Sequence, residues 1–144
     1  MEKNIRIDDY PLLEKRPEII FTPGGVNVSD ITLENLNSGK ISQEDCRTSR
    51  ENLLYQAEVA KQVGNFHVAR NFERAAEMVD IDGDRVIEIY NSLRPFRCTE
   101  EELKEIASEL RNRYNAELCA KLIEESTAVL KKRGMLKTHP KSGG

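Results

Sequence analysis

The sequence predicts an all-α protein: an open antiparallel helical bundle of about three to five helices, preceded by an irregular N-terminal arm that contains a short β-hairpin. Three observations carry this. From Thr48 onward, apolar residues recur at the spacing of one helix face. The breaks between these periodic stretches are short, as they are between antiparallel neighbours. Before Thr48, by contrast, Pro11, Pro17 and Pro23 interrupt any long helix. The chain therefore divides into an arm over 1–47, a helical body over 48–133 and a tail over 134–144 that is expected to be disordered.

Within the arm, EIIFTPGGVNV (18–28) reads as two short strands around a Pro-Gly turn, since proline presets one turn position and glycine accepts positive φ. A lone two-stranded hairpin is marginal in water, so it must rest on its own helical body or on another chain. Short helices are predicted near 33–38, between Thr32 and Gly39, and near 43–46, capped by Ser42. TSRENLLYQAEVAKQVG (48–64) opens with capping-box spacing from Thr48 to Glu51, aligns Leu53, Ala57, Ala60 and Val63, and terminates at Gly64. The next stripes are Val68, Phe72, Ala75, Ala76 and Val79, then Val86, Ile89, Tyr90 and Leu93.

Pro95 lacks an amide hydrogen and crowds the preceding turn, so that helix ends near Leu93 or Arg94. Thr99 and Glu102 form a second capping box, with Glu100 and Glu101 adding negative charge to the first turn. The pattern then runs through Leu103, Ile106, Ala107 and Leu110, and on through Leu118, Leu122, Ile123, Val129 and Leu130. Asn115 tolerates a left-handed conformation and can cap a following helix, so two nearly collinear helices are predicted there.

Composition excludes several functions. A third of the 144 residues are charged, yet the net charge is only −3, which argues against a nucleic-acid binder. The dense basic run, Lys131-Lys132-Arg133, sits where a last helical turn favours cations. No apolar run approaches the ~20 residues of a membrane span, and the start lacks a secretory signal, so the cytoplasm is the expected location. Cys46, Cys98 and Cys119 are an odd, widely spaced set that fits reduced thiols. With His67 and His139 the only histidines, no metal site is expected.

Candidate chemistry is sparse. DIDGDR (80–85) places Asp80, Asp82 and Asp84 as in a calcium loop, but Arg85 stands where that loop needs glycine and Asn91 where it needs glutamate. Asp82 reads instead as a helix cap. TPGGVNV (22–28) lacks the spacing and lysine of a phosphate loop. Glu124 and Glu125 are adjacent on a helix and point in different directions. No nucleophile motif is present, and no catalytic, cofactor-binding or metal-binding residue is predicted.

The corner Arg94-Pro95-Phe96-Arg97 remains. Its guanidiniums can pair with nearby acids such as Glu101 or Glu105 and satisfy carbonyls of the preceding helix. Alternatively they flank Phe96 as an apolar anchor on a partner protein, since interfaces are rich in Arg and aromatics. A small anion is a third option. Tyr10, Ile19 and Phe21 of the arm complete the predicted partner interface, because a proline-rich segment bearing such side chains leaves apolar area in water unless it is covered.

The segments DYPL (9–12), KRPE (15–18), DITLENLNSGK (30–40), YQAEVA (55–60), ARNFERAAE (69–77), EIYNSLRPFR (88–97) and EELKEIASELRNRY (101–114) occur in one order across nearly the whole chain. In them the sequence resembles the small subunit of the adenosylcobalamin-dependent glycerol and diol dehydratases. Two features depart from that family: Asp82-Gly83-Asp84 replaces a proline-containing turn, and the sequence begins shortly before DYPL, without the N-terminal extension common in diol dehydratases. The short start points to the glycerol dehydratase branch.

The resemblance implies a subunit of a hydro-lyase complex, a dimer of three-chain units. The large subunit holds substrate in a barrel, and adenosylcobalamin lies between the large and medium subunits. The small subunit packs on the large one and binds no cofactor alone. Homolysis of the cobalt–carbon bond starts a radical dehydration, of glycerol to 3-hydroxypropanal or of propane-1,2-diol to propanal. Such enzymes also occur inside bacterial protein shells. The competing readings are a helical adaptor of an unrelated complex and a free-standing enzyme. Removal of residues 1–28 is expected to weaken assembly and leave the helical body folded.

Overall fold

A computed structural model describes residues 4–138. These hold seven α-helices and no sheet: α1 (Leu12–Lys15), α2 (Leu33–Asn37), α3 (Arg50–Gln62), α4 (Phe66–Met78), α5 (Gly83–Ser92), α6 (Glu100–Tyr114) and α7 (Glu117–Lys132). The helix number exceeds the three to five expected, because two short helices sit in the arm. The described residues fall into two compact units divided between Val79 and Asp80, the first holding the arm with α3 and α4 and the second α5 to α7.

In the N-terminal unit, α3 and α4 pair across the turn at 63–65, where Gly64 has φ +78° as its terminator role requires. Ala57, Ala60 and Ala69 are buried between them with Phe72 alongside, small side chains that let two helices approach closely. The predicted stripe is displaced at its ends, leaving Val63 and Val68 exposed. The α3 cap is also one residue later than expected: Ser49, not Thr48, accepts the Asn52 N–H, at 3.3 Å.

The arm lies on α3. Ile5, Leu12 and Ile19 are buried with Val59, and Ile20 and Tyr55 pack against them. Polar pins reinforce this: the Gln62 amide donates to the Ile5 carbonyl at 2.6 Å, and its oxygen accepts from the Ile7 N–H at 2.7 Å. Asn52 Nδ2 donates to the Phe21 carbonyl at 3.0 Å.

The predicted hairpin over 18–28 reduces to one antiparallel bridge between Phe21 and Asn27, around a turn with Gly25 at φ +82°. Thr22 N–H donates to Val26 and Val28 N–H to Ile20, at 2.8 and 3.0 Å. No strand extends from it because Pro17–Ile19 and Val28–Asp30 both curl into 3₁₀ turns. The first uses proline at its opening position, and the second is capped by the Asn27 side chain. The short helices predicted beyond it are present: α2, capped by Thr32, and a 3₁₀ turn at Glu44–Cys46, where Ser42 and Asp45 exchange hydrogen bonds.

The core of the C-terminal unit comprises Ile81, Ile89, Leu103, Ala107, Leu110, Ala116, Cys119, Ala120, Ile123 and Leu130. The capping box at Thr99 and Glu102 forms as predicted, with bonds of 2.8 and 3.2 Å. Asn115 adopts φ +52°, and there the prediction of near-collinear helices fails, because α7 folds back along α6. Ion pairs mark the antiparallel register. Arg111 binds Glu117 at 2.7 Å and Glu124 at 2.9 Å near the turn, and Lys131 reaches Glu100 at 2.8 Å at the far end. Arg85 on α5 pairs with Glu109 on α6. The left-handed residue ends α6, and the Asn115 and Ala116 amides both donate to the Leu110 carbonyl.

Glu100 is held down to about 2 from its usual 4.5 by hydrogen bonds from Lys104 and then Lys131. A lowered carboxylate pKa contributes stability above the unfolded value that is lost as the pH falls toward the folded one. We expect an NMR titration of the Glu100 side-chain carboxyl to show a midpoint near 2, raised toward 4.5 in Lys131→Ala. A midpoint already near 4.5 in the unsubstituted protein would mean the clasp between α6 and α7 is not formed in solution.

Candidate functional site

The acidic loop at 80–85 resolves as a helix start: Asp82 accepts the Asp84 N–H at 2.9 Å and caps α5. Among the described residues, no three His, Cys, Asp or Glu side chains gather as a metal cluster would need. Cys98 is half-buried, and burial followed by Glu102 raises its pKa, which favours the thiol over a reactive thiolate. Cys46 is exposed and Cys119 buried, and no disulfide joins any of the three. His67 is exposed, and His139 lies outside the described residues. Glu124 pairs with Arg111, whereas Glu125 lines a separate groove, so the two adjacent carboxylates do diverge.

Exposed apolar side chains are more informative. Tyr10 is 52% exposed, Phe21 39% and Phe96 63%, as open surfaces would require. Ile19 is only 5% exposed and packs within its own unit, so it is core rather than interface. The sequence could not distinguish it from its neighbour Ile20, because a 3₁₀ turn has neither the helix nor the strand period. Sequence reasoning also missed Leu13, Leu33, Phe66, Ile87 and Val129, which are exposed too. Tyr90, assigned to an apolar stripe, is 69% exposed.

Pro95 does end α5, with Leu93 as its C-cap, and Phe96 takes φ +62°, a conformation that bulky L-residues rarely adopt. Phe96 N–H donates to the Met135 carbonyl at 2.7 Å, and Lys137 N–H to the Cys98 carbonyl at 2.9 Å. Residues 135–137, expected to lie in a disordered tail, are thus bonded to the corner, while the tail beyond Thr138 lies outside the described residues. Arg94 and Arg97 are exposed, and among the described residues they form no ion pair, so the alternative in which they pair with Glu101 or Glu105 is not the one seen. Close by, Leu93, Leu122, Glu125, Ser126, Val129 and Leu130 line an open groove of about 350 Å³.

The family model described as "Dehydratase small subunit" matches residues 5–137. The chain belongs to the dehydratase small-subunit family. Among its relatives, the propanediol dehydratase small subunit of Citrobacter freundii is 46% identical over 132 residues, covering 92% of this chain and 77% of the relative. That of Salmonella typhimurium strain LT2 is 44% identical over 135 residues, covering 94% and 78%. Both are named for propanediol, so this similarity does not distinguish the glycerol branch. No helix among the described residues is long and apolar enough to cross a membrane.

Proposed function

We propose that this chain is the non-catalytic small subunit of an adenosylcobalamin-dependent diol dehydratase acting on propane-1,2-diol, which it converts to propanal within a dimer of heterotrimers. The observation that carries this is the family match over 5–137 together with two relatives near 45% identity that are both propanediol dehydratase small subunits. Glycerol, with 3-hydroxypropanal as product, is the second reading; the resemblance admits it, and the relatives' names favour it less. In this proposal the large subunit binds substrate, and the large and medium subunits hold the cofactor between them.

In this reading the corrinoid lies between the partner subunits; the groove beside α7 is an open surface recess of about 350 Å³, at the small end of the ~300–1,000 Å³ of ligand pockets. When bound to its partners, the cofactor supplies a radical by cobalt–carbon homolysis. This chain would contribute surface: the exposed rings Tyr10, Phe21 and Phe96 with Arg94 and Arg97 are the side chains we assign to partner contact. The cytoplasm, free or within a protein shell, is the setting this reading expects.

Co-expression with large and medium dehydratase subunits tests the proposal. We expect a tag on this chain to recover all three polypeptides, and propanal formation to require all three plus adenosylcobalamin. The ratio of kcat/KM for propane-1,2-diol to that for glycerol then selects the branch. Turnover by this chain alone, or full activity and assembly without it, would overturn the proposal.

A further inference from the structure

Residues 92–99 and 126–138 contain six cations, Arg94, Arg97, Lys131, Lys132, Arg133 and Lys137, and no acid. The two segments are neighbours in space, because the Phe96–Met135 and Cys98–Lys137 backbone bonds, at 2.7 and 2.9 Å, fasten the strap after α7 to the corner after α5. Lys131 is occupied by Glu100. Among the described residues, the other five are exposed and form no ion pair, and Phe96 stands among them at 63% exposure. The carbonyls at the end of α7 favour cations locally, which accounts for Lys131 and Lys132 but not for Arg94, Arg97 or Lys137. The apolar groove adjoins this end: its lining residue Leu93 caps α5, and Leu130 accepts the Met135 N–H at 2.8 Å.

We infer that this end of the C-terminal unit is a docking face for an acidic protein surface: carboxylates meet the five free cations, and an apolar recess takes the Phe96 ring. The inference rests on the reading of the chain as a dehydratase subunit and names the chemistry of the subunit surface it meets. Protein rather than nucleic acid fits because the cations border an apolar groove and the exposed Phe96 ring, which a protein surface can cover with apolar side chains and a phosphate backbone cannot, and because the chain as a whole is acidic at −3. Opposite charge at a rim acts chiefly on the encounter rate and its salt dependence, whereas a buried ring acts on dissociation.

Binding of the full-length chain to the co-purified large and medium subunits, followed at 50 and at 300 mM salt, separates these effects. The variant carrying Arg94→Gln, Arg97→Gln, Lys132→Gln, Arg133→Gln and Lys137→Gln is expected to associate roughly tenfold more slowly at low salt and to lose most of its salt dependence. Phe96→Ala is expected to dissociate about tenfold faster at an unchanged association rate. A control, Lys40→Gln with Arg47→Gln, removes two exposed cations from the N-terminal unit and should change neither rate. Helical circular dichroism equal to that of the unsubstituted protein establishes that each variant is folded.

If the unsubstituted chain assembles and the five-site variant matches it at both salts, the docking face is wrong and the subunit assignment stands. If the unsubstituted chain does not assemble, the assignment itself falls and the inference with it. Retention of a short DNA duplex by the unsubstituted chain at 150 mM salt, abolished in the five-site variant, would reassign the face to nucleic acid.

Discussion

Leu103→Ala is expected to destabilise the C-terminal unit by about 3 kcal/mol, since deleting a buried leucine removes its transfer energy and leaves a cavity that relaxes only in part. Leu103 is fully buried, beside Ala107 and Leu110 on the inward face of α6, and its cluster includes residues from α5 and α7. Smaller neighbours such as Ala107 and Ala120 have no length to spare for filling the space. The urea midpoint should fall while the slope stays constant, which identifies lost stability rather than an altered unfolded ensemble. A change below about 1 kcal/mol would show that the interior of this unit is not packed as described. Assembly should weaken with it, because the corner and strap rest on the same helices.

Leu12→Ala is expected to have the second-largest effect, about 2–3 kcal/mol on the N-terminal unit. Leu12 is 2% exposed and joins Ile5, Ile19 and Val59, so it is a main anchor of the arm on α3. The distinctive readout is local. The arm has few buried side chains besides these, so it should open before α3 and α4 separate. Limited proteolysis should then cut within 15–30 at a rate raised about tenfold or more, and the α3–α4 fragment should persist. Unchanged cleavage would remove the anchoring role. The same packing revises what deleting residues 1–28 would do: the deletion strips the apolar cover from Val59 and Tyr55, so lost assembly in such a variant would report damage to the unit as well as a missing contact.

Much of the helical framework was legible because it depends on neighbours in sequence. Thr32, Asp82 and Thr99 cap helices by bonds spanning two or three residues, and Gly64 and Asn115 take the left-handed geometry their positions call for. What local pattern cannot encode is direction and partnership. Asn115 permits both a continued axis and a reversal; the choice falls to the apolar stripe shared by Leu103, Ala107, Ala120 and Ile123 and to the Glu100–Lys131 pair, all of them outside the turn itself. The hairpin failed for a related reason. The Pro-Gly turn was real, but Asn27 bonds to the Pro17 and Ile20 carbonyls, at 3.0 and 3.2 Å, and caps a 3₁₀ turn instead of extending a strand.

The surface was less legible than the interior. An exposed Tyr90 and a buried Ile19 both read as apolar positions in a one-dimensional pattern, and only packing separates them. The role of the last residues was also hidden, since nothing in GMLK announces that its backbone will bind a corner about forty positions earlier.

The turns at 63–65 and 115–116 have a consequence for how the chain acquires its shape. Each joins two helices whose mutual contacts span short sequence distances, and local contacts of this kind close quickly. Each helix pair can therefore be complete within moments of leaving the ribosome, before any neighbouring polypeptide is at hand. In the C-terminal unit the strap that fastens the corner follows α7 in the chain, so the corner takes its bonded form only after that helix pair has been made.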